Sequence, residues 1–316
     1  MKIQFDKSRL RALIDREPDF DVSAGLRGGN QLLPDDVFLI AEREFDLKKF
    51  PLREILSRGW IKASKEEVAS GPLGLINRFF YQSGETVGYM LCRKSANERS
   101  DSLSAHYSLL AWMTRVLFRA RSECCSAEYS REKLNRQFFQ ELAQFSVLED
   151  GPRVAKEFLS AHGIALIIEK HLPGTNLDGA AAFSRQGKPV IGMTLRYDRL
   201  DNFWFTLFHE LAHIYIHLAN DSASFFDDLE NESDDPKELE ANRFAKNTLI
   251  PRHIWARSDA FRYRTPAAVY ELATQLNINP AIVAGRIQKE TGRYDILRGI
   301  VDKNSVRALF ADAGWS

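Results

Sequence analysis

The chain has 316 residues, is 44% hydrophobic, and balances 43 Lys plus Arg against 43 Asp plus Glu. Its length allows two domains or one with an appendage, and its zero net charge excludes a globally basic nucleic-acid or membrane-surface binder. The three cysteines, Cys92, Cys124 and Cys125, form neither a disulfide framework nor a metal-ligand spacing, the N-terminus has no signal-peptide core, and no uncharged run reaches the roughly 18 to 20 residues of a membrane span. These features point to a cytoplasmic protein with no membrane partner.

Residues 1–33 read as a short helix followed by a Gly-rich connector, "SAGLRGGNQ". Residues 35–62 have helical spacing interrupted by Pro51, and 95–103 read as a polar loop. After it Leu109, Met113 and Leu117, flanked by Leu110, Trp112 and Val116, form the apolar stripe of a core helix. Three short apolar segments follow, 163–170, 179–184 and 188–196, separated by turn signals. They predict three strands, and Pro189 at the start of the third favours an edge position for it. Helices dominate from there to the end. The most polar stretch, 221–240, has nine acidic residues and one lysine and reads as a mobile loop that could gate a cleft.

The segment "WFTLFHELAHIYIHL" (204–218) places His209, Glu210 and His213 in apolar surroundings, where ionisable groups cost several kcal/mol unless paired or bound. On a helix capped by Asp201 or Asn202 and starting at Phe203, His209 and His213 are i and i+4, so both imidazoles leave one face. Two such nitrogens can hold one Zn²⁺. Glu210, about a third of a turn away, can reach a water in the site without being a ligand. The pattern is H-E-x-x-H, with the glutamate as general base. His217, one turn further, reads as a packed histidine or an outer support rather than a ligand. A catalytic zinc needs a third protein ligand, and no glycine or histidine follows His213 at the metzincin positions. The ligand is therefore sought on a later helix, "DDPKELEANRFAKNTLIP" (234–251), which offers Glu238 and Glu240. Glu238 is favoured because it shares a face with the small residues Ala241, Asn242 and Ala245. Glu240 reads as half of an exposed pair with Arg243. Against Glu238 stands a possible capping box, Asp235 to Glu238, which would use it locally.

The stretches "LPGTNLDGAAAF", "KPVIGMTL", "FTLFHELAHIYIH" and "ELEANRFAKNTLIP", with "LNINPAIVAGRIQ" (276–288) behind them, resemble the ImmA/IrrE family of metallopeptidases, in that order along the chain. The resemblance implies zinc ligands at His209, His213 and Glu238, with Glu210 as base. It also implies a dedicated regulatory protease whose partner is a protein substrate, a repressor often encoded nearby. That repressor would control stress, mobile-element or defence genes. "FPLREILSRGWI" (50–61) resembles the linker of antitoxin-like relatives, but residues 1–33 show no helix-turn-helix of their kind.

The expected fold is α+β, a minimal zincin-like metallopeptidase domain with a mainly helical N-terminal domain. The expected division is an extension at 1–33, a helical regulatory domain at 34–148, the peptidase at 149–258, and a helical C-terminal segment at 259–316. The 189–195 edge strand would hold an extended substrate. Arg286, His253 and Tyr215 are the candidates for stabilising the oxyanion. The rival reading is an antitoxin-like or DNA-binding regulator with a non-catalytic metal site. It rests on the helix-turn-helix-like stretch 269–288, where Ala273, Ile278 and Val283 take packing positions and only Arg286 and Gln288 could read bases.

Overall fold

The computed structural model describes residues 46–83, 100–123, 125, 127–184, 186–217, 236–301 and 306–313. The expectations for 1–33 and for the acidic stretch 221–235 lie outside these residues.

Three helices open the described chain: α1 (Leu52–Ser57), α2 (Lys65–Ala69) and α3 (Pro72–Ser83). Pro51 stands immediately before α1 as its N-cap, where its missing N–H costs no helical bond. The striped segment forms the long helix α4 (Ser100–Ser122), which begins inside the stretch read as loop. After it come α5 (Arg136–Gln144), capped by the Asn135 side chain, and α6 (Gly151–Ala161).

The three expected strands are present: β1 (Ala165–Ile168), β2 (Gly179–Phe183) and β3 (Pro189–Met193). Their order is β1-β3-β2, with β3 parallel to β1 and antiparallel to β2. The expectation that β3 is an edge strand is therefore wrong. Pro189 is the first residue of the strand, opposite Phe183 at the far end of β2, and a proline there removes no interior ladder bond.

Alternation along the strands divides the hydrophobic core in two. Leu166, Ile168, Ala181, Ile191 and Met193 face one cluster, while Ala165, Ile167, Ala180, Ala182 and Val190 face the other. The second cluster contains Trp112, Met113 and Val116 of α4 together with Phe50, Ile55 and Phe79, so the N-terminal helices and the back of the sheet share one core. Trp112 is 1% exposed, and its Nε1–H donates to the Glu169 carbonyl at 2.9 Å. Arg115 and Arg119 reach the buried Glu169 carboxylate at 3.4 and 3.3 Å. This polar knot pins α4 to the end of β1.

The front of the sheet carries α7 (Leu200–Ala212), continued by one π-helical turn, His213–His217. The helix starts three residues before Phe203, with Arg199 as N-cap and no side-chain cap. Asp201 does not cap it because its carboxylate holds Arg199 at 2.9 and 2.7 Å. Helix α8 (Pro236–Leu249) packs along α7 through Ala241 and Ala245, both fully buried. Two short helices, α9 (Arg252–Trp255) and α10 (Asp259–Tyr263), lead to α11 (Pro266–Leu276) and α12 (Pro280–Thr291). Helix α12 also packs on α7. A 3₁₀ segment, Arg307–Ala313, ends the described chain. Among the described residues no helix is long and apolar enough to cross a membrane.

Candidate metal centre

Helix α7 and the first residue of its π-helical continuation deliver His209 and His213 to one point, as the four-residue spacing requires. Their Nε2 atoms lie 3.0 Å apart. Helix α8, held close by its alanines, brings Glu238 to the same point. One Glu238 oxygen is 3.1 Å from His209 Nε2 and the other 3.1 Å from His213 Nε2. The three ligand atoms all lie within 4.8 Å of one another. Both Glu238 oxygens are turned to the histidines across the helix pair, while Asp235, its partner in the capping-box alternative, lies outside the described residues.

Two imidazole nitrogens and a carboxylate converging in a half-buried pocket leave electron pairs facing one another unless a proton or a cation lies between them. This donor set suits zinc: two His nitrogens and one carboxylate oxygen, with room left for a fourth ligand. The electrostatics agree. Burial alone would lower the His209 pKa, but Glu238, Glu210 and Asn242 outweigh it and the net shift is upward. Burial pushes the Glu238 carboxyl up, yet the hydrogen bonds from His209 and His213 more than reverse this, so it stays ionised well below the usual carboxylate range.

Glu210 is 6% exposed and sits beside the ligand set. Burial raises its pKa, opposed by His209 and His213. A cation at the site would act in the same direction as the histidines. The carboxylate has room only because β2 begins with glycine. A Cβ on Gly179 would lie 2.9 Å from Glu210 Oε1, 3.1 Å from its Cγ and 2.7 Å from Thr206 Cγ2. The reading of the sequence missed Gly179; the signal available was a lone glycine opening the Ala run "GAAAF".

A cleft of about 870 Å³ opens over these residues. One wall is the entry to β2 and its first residues, Leu177 to Ala181. Another is the turn after β3, where Arg196 holds Asp178 at 3.1 Å and Asn176 at 2.9 Å. That turn bends through Leu195, whose φ of +48° is unusual for a branched residue. It is clamped from far along the chain. Arg307 donates to the Leu195 carbonyl at 3.0 and 2.9 Å and to the Arg196 carbonyl at 2.8 Å, while Asp198 Oδ1 accepts from the Val306 and Arg307 backbone N–H groups.

The oxyanion candidates fare differently. Arg286 lines the cleft, but it donates to the Lys246 and Ile250 carbonyls and to Glu290, and it stacks on Trp255. Tyr215 packs against Phe139 and Phe244, and His253 is exposed on α9, away from the cleft. In the helix-turn-helix-like stretch, Asn277 makes the turn in the left-handed region (φ +53°), and Ala273, Ile278 and Val283 are buried. Gln288 is 1% exposed; it accepts from Arg199 and donates to the Ile296 carbonyl. Both would-be base readers, Arg286 and Gln288, are thus engaged inside the protein. Glu240, read as half of an exposed pair with Arg243, instead faces His217 at 3.3 Å.

A short twisted sheet, an H-E-x-x-H helix beneath it and a carboxylate from the next packed helix define a small zincin-like domain. Residues 157–288 match the family model described as the IrrE N-terminal-like domain, Peptidase_M78. Over those residues the chain carries a domain similar to that of the ImmA/IrrE family. No curated protein and no solved structure matches the chain.

Proposed function

We propose that the protein is a zinc-dependent endopeptidase that cleaves a regulatory protein, a helix-turn-helix repressor being the substrate class that the family resemblance implies. The observation that carries this reading is the convergence of His209, His213 and Glu238 on one point, with the buried Glu210 beside them and an open cleft above. In this reading His209, His213 and Glu238 hold the metal. When bound, zinc supplies a Lewis acid that polarises the scissile carbonyl and acidifies the attacking water. Glu210 takes the proton of that water onto its carboxylate and hands it to the leaving amine. Its burial suits the task, because a proton taken up in an apolar pocket is held until it can be passed on. The outer edge of β2, which lines the cleft, supports binding of an extended segment as an added strand. The fixed Asp178–Arg196 pair forms one end of that groove.

The test has two parts. Zinc titration of the full chain is expected to saturate near one ion per chain. Co-expression with the neighbouring repressor is expected to yield one or few fragments by mass spectrometry, and none with Glu210→Gln. Broad degradation of casein would contradict the dedicated role, and a chain that binds no zinc would end the reading.

A further inference from the structure

The π-helical turn after α7 places His217 against His213, with the two Nδ1 atoms 3.1 Å apart. On the other side of the ring, His217 Nε2 lies 3.3 Å from a Glu240 oxygen. The His217 side chain is 5% exposed and Glu240 is 57% exposed. A buried histidine therefore links a group of the metal centre to a carboxylate at the surface, all between α7 and α8.

Hydrogen-bond chemistry fixes the direction of this chain. Two facing Nδ1 atoms attract only if one carries hydrogen and the other a lone pair. His213 Nε2 is the atom that meets His209 and Glu238, so under the zinc reading its lone pair goes to the metal and its hydrogen sits on Nδ1. His217 must then offer a bare Nδ1, which places its own hydrogen on Nε2, facing Glu240. We infer that His217 and Glu240 form a positioning relay for the zinc site, Glu240 setting the tautomer of His217 and His217 that of His213. This rests on the zinc reading above. Ligand histidines commonly donate their second N–H to a carboxylate or carbonyl, which orients the ring and makes it a better donor to the metal. Here a second imidazole is interposed. The support is one-sided, because among the described residues the buried Nδ1 of His209 has no hydrogen-bonded partner. Glu238 and Glu240 thus divide the work of α8, one meeting the ligand nitrogens directly and the other acting two rings away.

The experiment measures zinc affinity of the full chain by chelator competition for wild type, Glu240→Ala, Glu240→Gln, His217→Ala and the Glu240→Ala/His217→Ala double variant. Glu240→Ala and His217→Ala are each expected to weaken binding about 10- to 100-fold, the usual effect of removing an outer partner. Glu240→Gln should retain most of the affinity, since its amide oxygen still accepts from His217 Nε2–H. In the His217→Ala background Glu240→Ala should add nothing, because its route to the metal is already cut. Ring ¹⁵N spectra of the zinc-loaded protein should show hydrogen on His213 Nδ1 and His217 Nε2. A wild-type chain that binds no zinc would overturn the metal reading itself. Tight wild-type binding left unchanged by Glu240→Ala would overturn the relay alone, and this surface variant keeps that outcome reachable if His217→Ala fails to fold. An additive double variant would also overturn the relay, because Glu240 would then act through its charge.

Discussion

Two helix pairs of this chain carry sequence patterns that look functional, α7 with α8 and α11 with α12. In the first pair the polar side chains of one face leave the helices and meet: His209, His213 and Glu238 point into the cleft. In the second they turn inward, Arg286 closing the end of α8 through the Lys246 and Ile250 carbonyls and Gln288 bridging Arg199 to Ile296. Polar residues at helical spacing are therefore informative only together with their partners. A group engaged with backbone carbonyls is structural, whereas groups whose nearest neighbours are each other are available for a ligand.

The sharpest way to break this contrast is Glu210→Gln. Cleavage should fall about 10²–10⁴-fold, the usual loss on removing a general base, while zinc affinity measured by chelator competition stays close to wild type. Normal cleavage by this variant would remove the peptidase mechanism. Glu238→Gln should separate from it by losing zinc and activity together, since a neutral amide replaces an ionised ligand. Retention of zinc by Glu238→Gln would show that the α7–α8 convergence is not the ligand set.

Gly179→Ala tests the cleft geometry. The added methyl group meets the Glu210 carboxylate, and misplacing a catalytic group by about 1 Å can cost about 10²-fold in rate. Steady-state kinetics should show that loss in kcat at unchanged zinc content. The smallest effect belongs to the other pair. Arg286→Ala removes the side-chain donor to the Ile250 carbonyl, while the Lys246 carbonyl keeps the Ile250 N–H, for a cost of about 1–3 kcal/mol read as a lower unfolding midpoint in urea, with no change in retention on DNA. A variant of normal stability that lost DNA binding would instead restore the recognition-helix reading of α12.

What could be read from the sequence was local. The i, i+4 histidines, the small face of α8 and the period-two strands all express spacings shorter than two helical turns, and the structure places His209, His213 and Glu238 near one point. What could not be read depends on partners far apart in the chain. The order β1-β3-β2 puts the last strand in the middle, and Pro189 speaks only for its own missing N–H. Asp201 has the composition of a cap, but its use is decided by Arg199. Glu240 looks like half of a surface pair until His217, 23 residues earlier, is placed against it. The glycine that makes room for Glu210 lies on a different element altogether.

The Arg307 clamp on the strained Leu195 turn has a consequence for the life of the chain. One rim of the cleft is set by a side chain more than a hundred residues downstream, |i−j| 112 from Leu195. During synthesis the H-E-x-x-H helix and the sheet leave the ribosome long before Arg307 does. The groove therefore reaches its final shape only after residue 307 has emerged, later than every residue of the metal centre it borders.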